Sequence, residues 1–473
     1  MFFGSLLIKA LLSDVTERKQ GIVPFSPRGP LLLHFNYRPF YSPFTPFLLP
    51  FYSPFTPKII MKKAILTLSA VILATLGTQA QQALFGGSSI VSPEIHPDNT
   101  VTFRLYAPKA VSVKVSGDFL PEQLIDTPQG KWAVSVPADL KEGKDGVWEY
   151  TTPEPLEANY YCYNFVVDGQ KQLDLQNVFV NRDVKTLTNY FIITREAGDQ
   201  GDLFSVNDVP HGTVRKCWYD SPSLGMKRRL TVYTPAGYET SSKKYPVFYL
   251  LHGSGGDEEA WYTQGRVTQV LDNLIATGKA EPMIVVMTNG NAYETSAPGE
   301  QAGGFRQPEM VMGGVKPGMK EAAFELSFPD VRRYVEKNFR TINDKRHRAI
   351  AGLSMGSFHS EHISKYYAGE YGYIGLFSGA SAGDGRRGKD EPGGSPVYAN
   401  FDKQMANLFA PKNRPYLYYV AIGKTDFLKQ GNDGFLRYMD EKGYPYTYRE
   451  TEGGHIWRNW RTYFIEFTQK IFK

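Results

Sequence analysis

The chain has 473 residues, enough for two folded domains, and its 42% hydrophobic and 21% charged residues are ordinary globular usage. Its formal charge of +5 misleads: residues 1–80 hold eight Lys and Arg against two acidic residues, which leaves the remainder at −1. That balance excludes a general electrostatic attraction to nucleic acid or to an anionic membrane surface. Cys162 and Cys217 are the only cysteines, too few for a disulfide framework, although export would permit a single bridge.

The first segment repeats Phe-Tyr-Ser-Pro-Phe-Thr-Pro at 40–46 and 51–57, a Pro-punctuated pattern that packs neither as a helix nor as a central strand. Residues 1–60 therefore read as a misassigned start, with a genuine disordered extension as the rival. Residues 61–80 read as a secretory signal peptide: Met61-Lys62-Lys63 is basic, Ala64–Leu76 is apolar, and Thr78-Gln79-Ala80 offers small residues for cleavage. The apolar run is shorter than the roughly 20 residues that span a bilayer, and no Cys follows it, so no membrane anchor is expected. The expected location is secreted or periplasmic.

Between 85 and 194 short β-branched and aromatic runs are broken by Pro, Gly and Asp. Thr100–Tyr106, Val111–Val115, Trp148–Tyr150 and the alternating Tyr161, Tyr163, Phe165 and Val167 read as strands of a small all-β sandwich, with Asp168-Gly169 as a hairpin turn. Trp132 and Trp148 suit either a sugar platform or the sandwich core, and the core is the commoner fate. After a polar connection near 195–210, strands alternate with longer helices, the signature of a parallel sheet, so residues 205–473 are assigned to an α/β domain. Strands are expected at 229–234, 245–251, 283–288, 349–351 and 416–422, and helices at 267–277, 330–339, 357–367 and 457–470. Gly-rich loops at 291–320 and 381–395 interrupt the alternation, as lids and specificity walls often do.

Gly352-Leu353-Ser354-Met355-Gly356 fits a nucleophile elbow, where two glycines let a strand turn sharply into a helix and expose the serine. A serine hydroxyl needs an imidazole to take its proton, and this arrangement places acid and then histidine later in the chain. His455 follows a strand-like run and precedes the last helix, whereas His359 and His362 sit too close to the elbow on one helix. Asp426 stands just beyond the strand ending at Ile422; Asp433 and Asp384 read as solvated loop carboxylates. The amides of Met355 and of Ser254, in the Gly-rich turn after Leu250-Leu251-His252, are the expected oxyanion donors. His252 reads as a brace for that turn. No metal or cofactor is expected, because the paired His359 and His362 lack a third ligand.

Phe103–Ala110, Gly117-Asp118-Phe119, Gly146-Val147-Trp148 and Tyr163–Gly169 together resemble the immunoglobulin-like carbohydrate-binding module found beside glycogen-branching enzymes. Leu251-His252-Gly253-Ser254-Gly255-Gly256-Asp257, Gly352–Gly356, Gly423–Asp426 and Gly454–Trp460 look like the esterase D-like branch that includes feruloyl and acetylxylan esterases, carbohydrate esterase family one. The two-domain order is similar to that of xylan side-chain esterases of gut bacteria. This resemblance implies an α/β-hydrolase fold behind an all-β sandwich. It also implies cleavage of ferulate or acetate esters of arabinoxylan, with Ser354, Asp426 and His455 as triad and Ser254 and Met355 as oxyanion hole. Siderophore esterases share the motifs, and an idle sugar-binding protein is the reading from a different class. Tyr293, Phe305 and Trp457 are the candidates to hold an aryl group, Trp457 equally suiting packing of the last helix. Ser357 stands where many members have a further Gly, which questions how closely that helix packs.

Overall fold

The computed structural model describes residues 90–473 apart from 128–129, 302–303, 305–306, 312–313 and 381–393. The expectations for residues 1–60 and 61–80, for Phe305 and Asp384, for most of the 381–395 loop and for the Trp132 side chain lie outside the described residues.

An all-β domain comes first. One sheet runs Glu94–Ile95, Val101–Tyr106, Val147–Thr151, Lys141–Glu142; the other runs Val180–Asp183, Thr186–Ile193, Asn159–Val167, Val113–Gly117, Ala138–Asp139. Alternation along the strands turns Val101, Phe103, Val115, Tyr163, Phe165 and Phe191 into one core. Trp148 belongs to that core, its indole N–H donating to the Ala107 carbonyl at 3.0 Å, so it is no sugar platform. Asp168 and Gly169 both take positive φ and close a two-residue hairpin between Val167 and Gln170. Cys162 and Cys217 are unbonded.

The second domain is built on an eight-stranded sheet. Its order is Thr213–Ser221, Met226–Thr234, Ile284–Thr288, Val247–Leu251, Arg348–Leu353, Tyr373–Phe377, Leu417–Gly423, Thr447–Thr451. The first two joints are antiparallel and the rest parallel. Central parallel strands are covered on both faces, which is why Val247–Leu251 is apolar throughout. Val247, Tyr249 and Leu251 face one layer with Phe324, Phe328 and Ile363; Phe248 and Leu250 face the other with Trp261, Phe464 and Phe467. This second layer also holds Tyr160, Leu203 and Phe204, so it spans both domains.

Sequence and structure part at several elements. The strands Thr213–Ser221 and Tyr373–Phe377 and the helices Phe401–Leu408 and Lys429–Lys442 are not among the expected elements. The helix expected from Asp330 begins at Ala323 and runs through Pro329. Proline there frees the carbonyl four residues back, at Glu325, which receives the Tyr367 hydroxyl at 3.5 Å.

Candidate active site

Ser354 lies between the strand Arg348–Leu353 and the helix Met355–Tyr366, with φ 51° and ψ −114°. A non-glycine residue with positive φ is held only where its surroundings enforce it, and here backbone crowding does so. A Cβ on Gly352 would lie 2.5 Å from the Gly356 carbonyl carbon, and one on Gly356 would lie 2.5 Å from the Leu251 oxygen. Both positions must be glycine for strand and helix to approach this closely. Ser357 is tolerated because Gly379 faces it: a Cβ on Gly379 would meet the Ser357 Cβ at 2.7 Å.

Asp426 is buried just past the strand Leu417–Gly423, and its two carboxylate oxygens lie 3.0 and 2.9 Å from His455 Nδ1. The His455 ring packs between Phe427 and Trp460, with centroids 4.5 and 4.9 Å away, and Trp460 is anchored through its indole N–H to Ser378. A carboxylate accepting from Nδ1–H leaves Nε2 free to take a proton. Ser354 and His455 border the same cavity of about 600 Å³, without a hydrogen bond between them in this structure. Asp433 is turned to Lys429 instead, at 2.6 Å.

Ser254 borders the cavity too, on the turn beside the elbow; a Cβ on neighbouring Gly253 would lie 3.3 Å from that of Ser354. Met355 is the first residue of its helix, where an amide has no acceptor within the helix. The Ser254 turn is held from behind. His252 Nδ1 lies 2.7 Å from the Gly253 carbonyl and Nε2 accepts from the Gly290 amide at 2.7 Å, so the ring is a neutral brace. Burial pulls its pKa down to about 4. Arg229 binds Glu258 and Glu259 at 2.7 Å each, and buried Arg228 donates to the Asn289, Asn291 and Glu294 carbonyls. Sequence reading missed this clamp because two adjacent arginines in a strand look like a solvated edge.

Of the aryl-binding candidates, Trp457 lines the cavity and also packs edge-on against Trp261 and Trp460. Tyr293 is not among the lining residues: its hydroxyl donates to the Glu309 carbonyl and the Lys316 ammonium lies over its ring. Among the described residues of the 291–320 loop only Met310 borders the cavity. The other apolar walls from this domain are Ala260, Leu353, Phe427, Ile456 and Trp460. Three lining residues, Ala133, Asp183 and Val184, come from the all-β domain and carry no motif. His359 and His362 do not reach the site; His359 Nδ1 pairs with buried Glu325 at 2.8 Å and His362 Nδ1 lies 3.0 Å from the Phe358 carbonyl.

A strained serine at a strand-to-helix turn, beside an aspartate-bound histidine on an eight-stranded mixed sheet, defines the α/β-hydrolase class. Residues 221–400 match the model of the family described as putative esterase, and residues 90–180 that of carbohydrate-binding module 48, the isoamylase N-terminal domain. The chain is 31% identical over 300 residues to an endo-1,4-beta-xylanase/feruloyl esterase of Xylanibacter ruminicola, matching 61% of this chain and 36% of that protein. It is 26% identical over 284 residues to an esterase of Mycobacterium tuberculosis, matching 51% of this chain and 56% of the other. The chain thus spans between a third and just over half of the length of these relatives. The enterobactin esterase of Shigella flexneri shares the fold over 78% of this chain and 92% of its own, at TM-score 0.51 and 15% identity.

Proposed function

We propose that the chain is a serine carboxylic ester hydrolase that releases ferulate ester-linked to arabinoxylan. Ser354 Oγ attacks the ester carbonyl, His455 takes its proton and passes it to the departing alcohol, and Asp426 holds the imidazole and stabilises its charged form. The amides of Met355 and Ser254 receive the oxyanion. Water then attacks the acyl-enzyme, with His455 again as base. The observation that carries this reading is the convergence of Ser354 and the Asp426–His455 pair on one apolar, aromatic-walled cavity of about 600 Å³. A flat hydroxycinnamoyl group gains stacking and burial from Phe427 and Trp457, whereas an acetyl group gains little from the same walls. The name of the xylanase/feruloyl esterase relative supports a plant cell-wall substrate, and that of the module a carbohydrate one.

The test is a side-by-side measurement of kcat/KM on methyl ferulate, acetylated xylan and a short aryl acetate. Methyl ferulate is expected to lead. Ser354→Ala should lower kcat by on the order of a millionfold with the fold intact, and Asp426→Asn by less, since it keeps both reacting groups. Preference for acetylated xylan would make acetyl the acyl group transferred to Ser354, and absence of any Ser354-dependent turnover would leave a sugar-binding protein. Export is part of the proposal, on the pattern of residues 61–80, and predicts a mature N-terminus near Gln81.

A further inference from the structure

The turn between the strands Val180–Asp183 and Thr186–Ile193 of the all-β domain reaches the esterase cavity. The register pairs Asp183 with Thr186, leaving Val184 and Lys185 as a two-residue turn. Such turns want Asn or Gly at positive φ, yet Val184 holds φ 51°, a poor conformation for a β-branched residue. Its side chain occupies the space that Gly255, beside Ser254, leaves open: a Cβ there would lie 2.7 Å from Val184 Cγ2. Arg182 pins the turn by an ion pair to buried Asp257, at 2.5 Å, on the same oxyanion segment. Asp183, between these two anchors, lines the cavity with Ser354 and His455 and is the one carboxylate among its described lining residues. Burial pushes its carboxyl pKa up, opposed by Gln264, Arg182 and Trp457. Gln264 and Trp457 already hydrogen-bond this carboxylate, and its remaining acceptor positions are what a turn strained toward the cavity offers a bound molecule.

We infer that the all-β domain forms one wall of the substrate site and that Asp183 determines specificity by accepting a hydrogen bond from a hydroxyl of the bound ester. The inference rests on the esterase reading above and deepens it: the front module selects substrate at the catalytic cavity. Two sources supply such a hydroxyl, the phenol of a hydroxycinnamoyl group and a sugar hydroxyl next to the ester.

The experiment compares wild type, Asp183→Ala and the same-sized Asp183→Asn on methyl ferulate, methyl 3,4-dimethoxycinnamate and feruloylated arabinose, with melting temperatures as a folding control. A loss of kcat/KM for Asp183→Ala at least about tenfold larger on methyl ferulate than on the dimethoxy ester assigns the phenol to Asp183. A loss of that size confined to feruloylated arabinose assigns a sugar hydroxyl, and either result supports the inference. Equal losses on all three esters, or none, overturn it and leave the turn a purely structural contact. A wild type inactive on all three but active on acetates sinks the feruloyl reading alone; the variants are then compared on acetylated xylan and 4-nitrophenyl acetate, where only a loss selective for the sugar ester supports a role for Asp183.

Discussion

His252 sits under the Ser254 turn with both ring nitrogens engaged, and its burial has a consequence for stability. In the unfolded chain an imidazole titrates near 6.5, whereas here it titrates at about 4. Between these values the unfolded state binds the extra proton. The contribution of His252 is therefore complete above pH 6.5 and is lost as pH falls toward 4, by about 3 kcal/mol in all. Denaturant unfolding of wild type and His252→Gln between pH 7 and 4 checks this: the slope of stability against pH should be less positive in the variant. Parallel slopes would mean that the brace does not titrate in this range. The buried carboxyls Glu258 and Glu294 are raised by burial and act with the opposite sign, so the comparison between variants, not the wild-type curve alone, isolates the histidine.

At the scale of elements, the turn at Ser354 depends on how closely a strand and a helix approach. Gly352 and Gly356 sit backbone to backbone, and the distances of 2.5 Å that added methyl groups would meet involve main-chain atoms that cannot swing aside. Gly356→Ala should therefore cost about 1–3 kcal/mol, as overpacking does, and lower kcat more than it raises KM because the serine and the Met355 amide move together. Urea unfolding and steady-state kinetics on one preparation check both. Unchanged stability would show that the helix start relaxes without disturbing the sheet. The 291–320 loop acts differently from a simple lid. Ala292, Ser296 and Ala297 are buried and Arg228 binds its first carbonyls, so its start belongs to the core and only Met310 reaches the cavity among its described residues.

Over the whole molecule, the two domains share a core. Arg461, on the last helix, is fully buried and donates to the Gln264 carbonyl of the α/β domain and the Tyr160 carbonyl of the sandwich, each at 3.0 Å, with its guanidinium 4.4 Å from the Tyr160 ring centre. Its charge also eases the burial of Asp118 in the sandwich. Arg461→Met strands both carbonyls and leaves Asp118 with Arg458 and the Cys162 amide, so a loss of about 2–5 kcal/mol is expected. Calorimetry should give one transition for the wild type and one lower transition for the variant, because one layer of the α/β core is completed by Tyr160 of the sandwich. Two separate wild-type transitions would contradict this coupling.

The sequence by itself determined what depends on local pattern. Period-two runs and Asp168-Gly169 marked the sandwich, alternating strands and helices marked the parallel sheet, and Gly352-Leu353-Ser354-Met355-Gly356 after a strand marked the turn on which Ser354 stands. Asp426 and His455 were legible because each follows a strand at the carboxyl edge of the sheet, where loops converge. Only the tertiary structure decided which side chains share the cavity. Asp183 and Val184 lie more than 160 residues before Ser354 in a turn whose valine reads as strand, and Trp148 is a core residue although its position suits a platform. The 291–320 loop has the glycine content of a lid or specificity wall; among its described residues Met310 borders the cavity while Tyr293 turns its hydroxyl to Glu309, and part of the wall comes from the other domain. The physical reason is that periodicity and turn chemistry act over a few residues, whereas a cavity is bounded by whatever close packing brings together from distant parts of the chain.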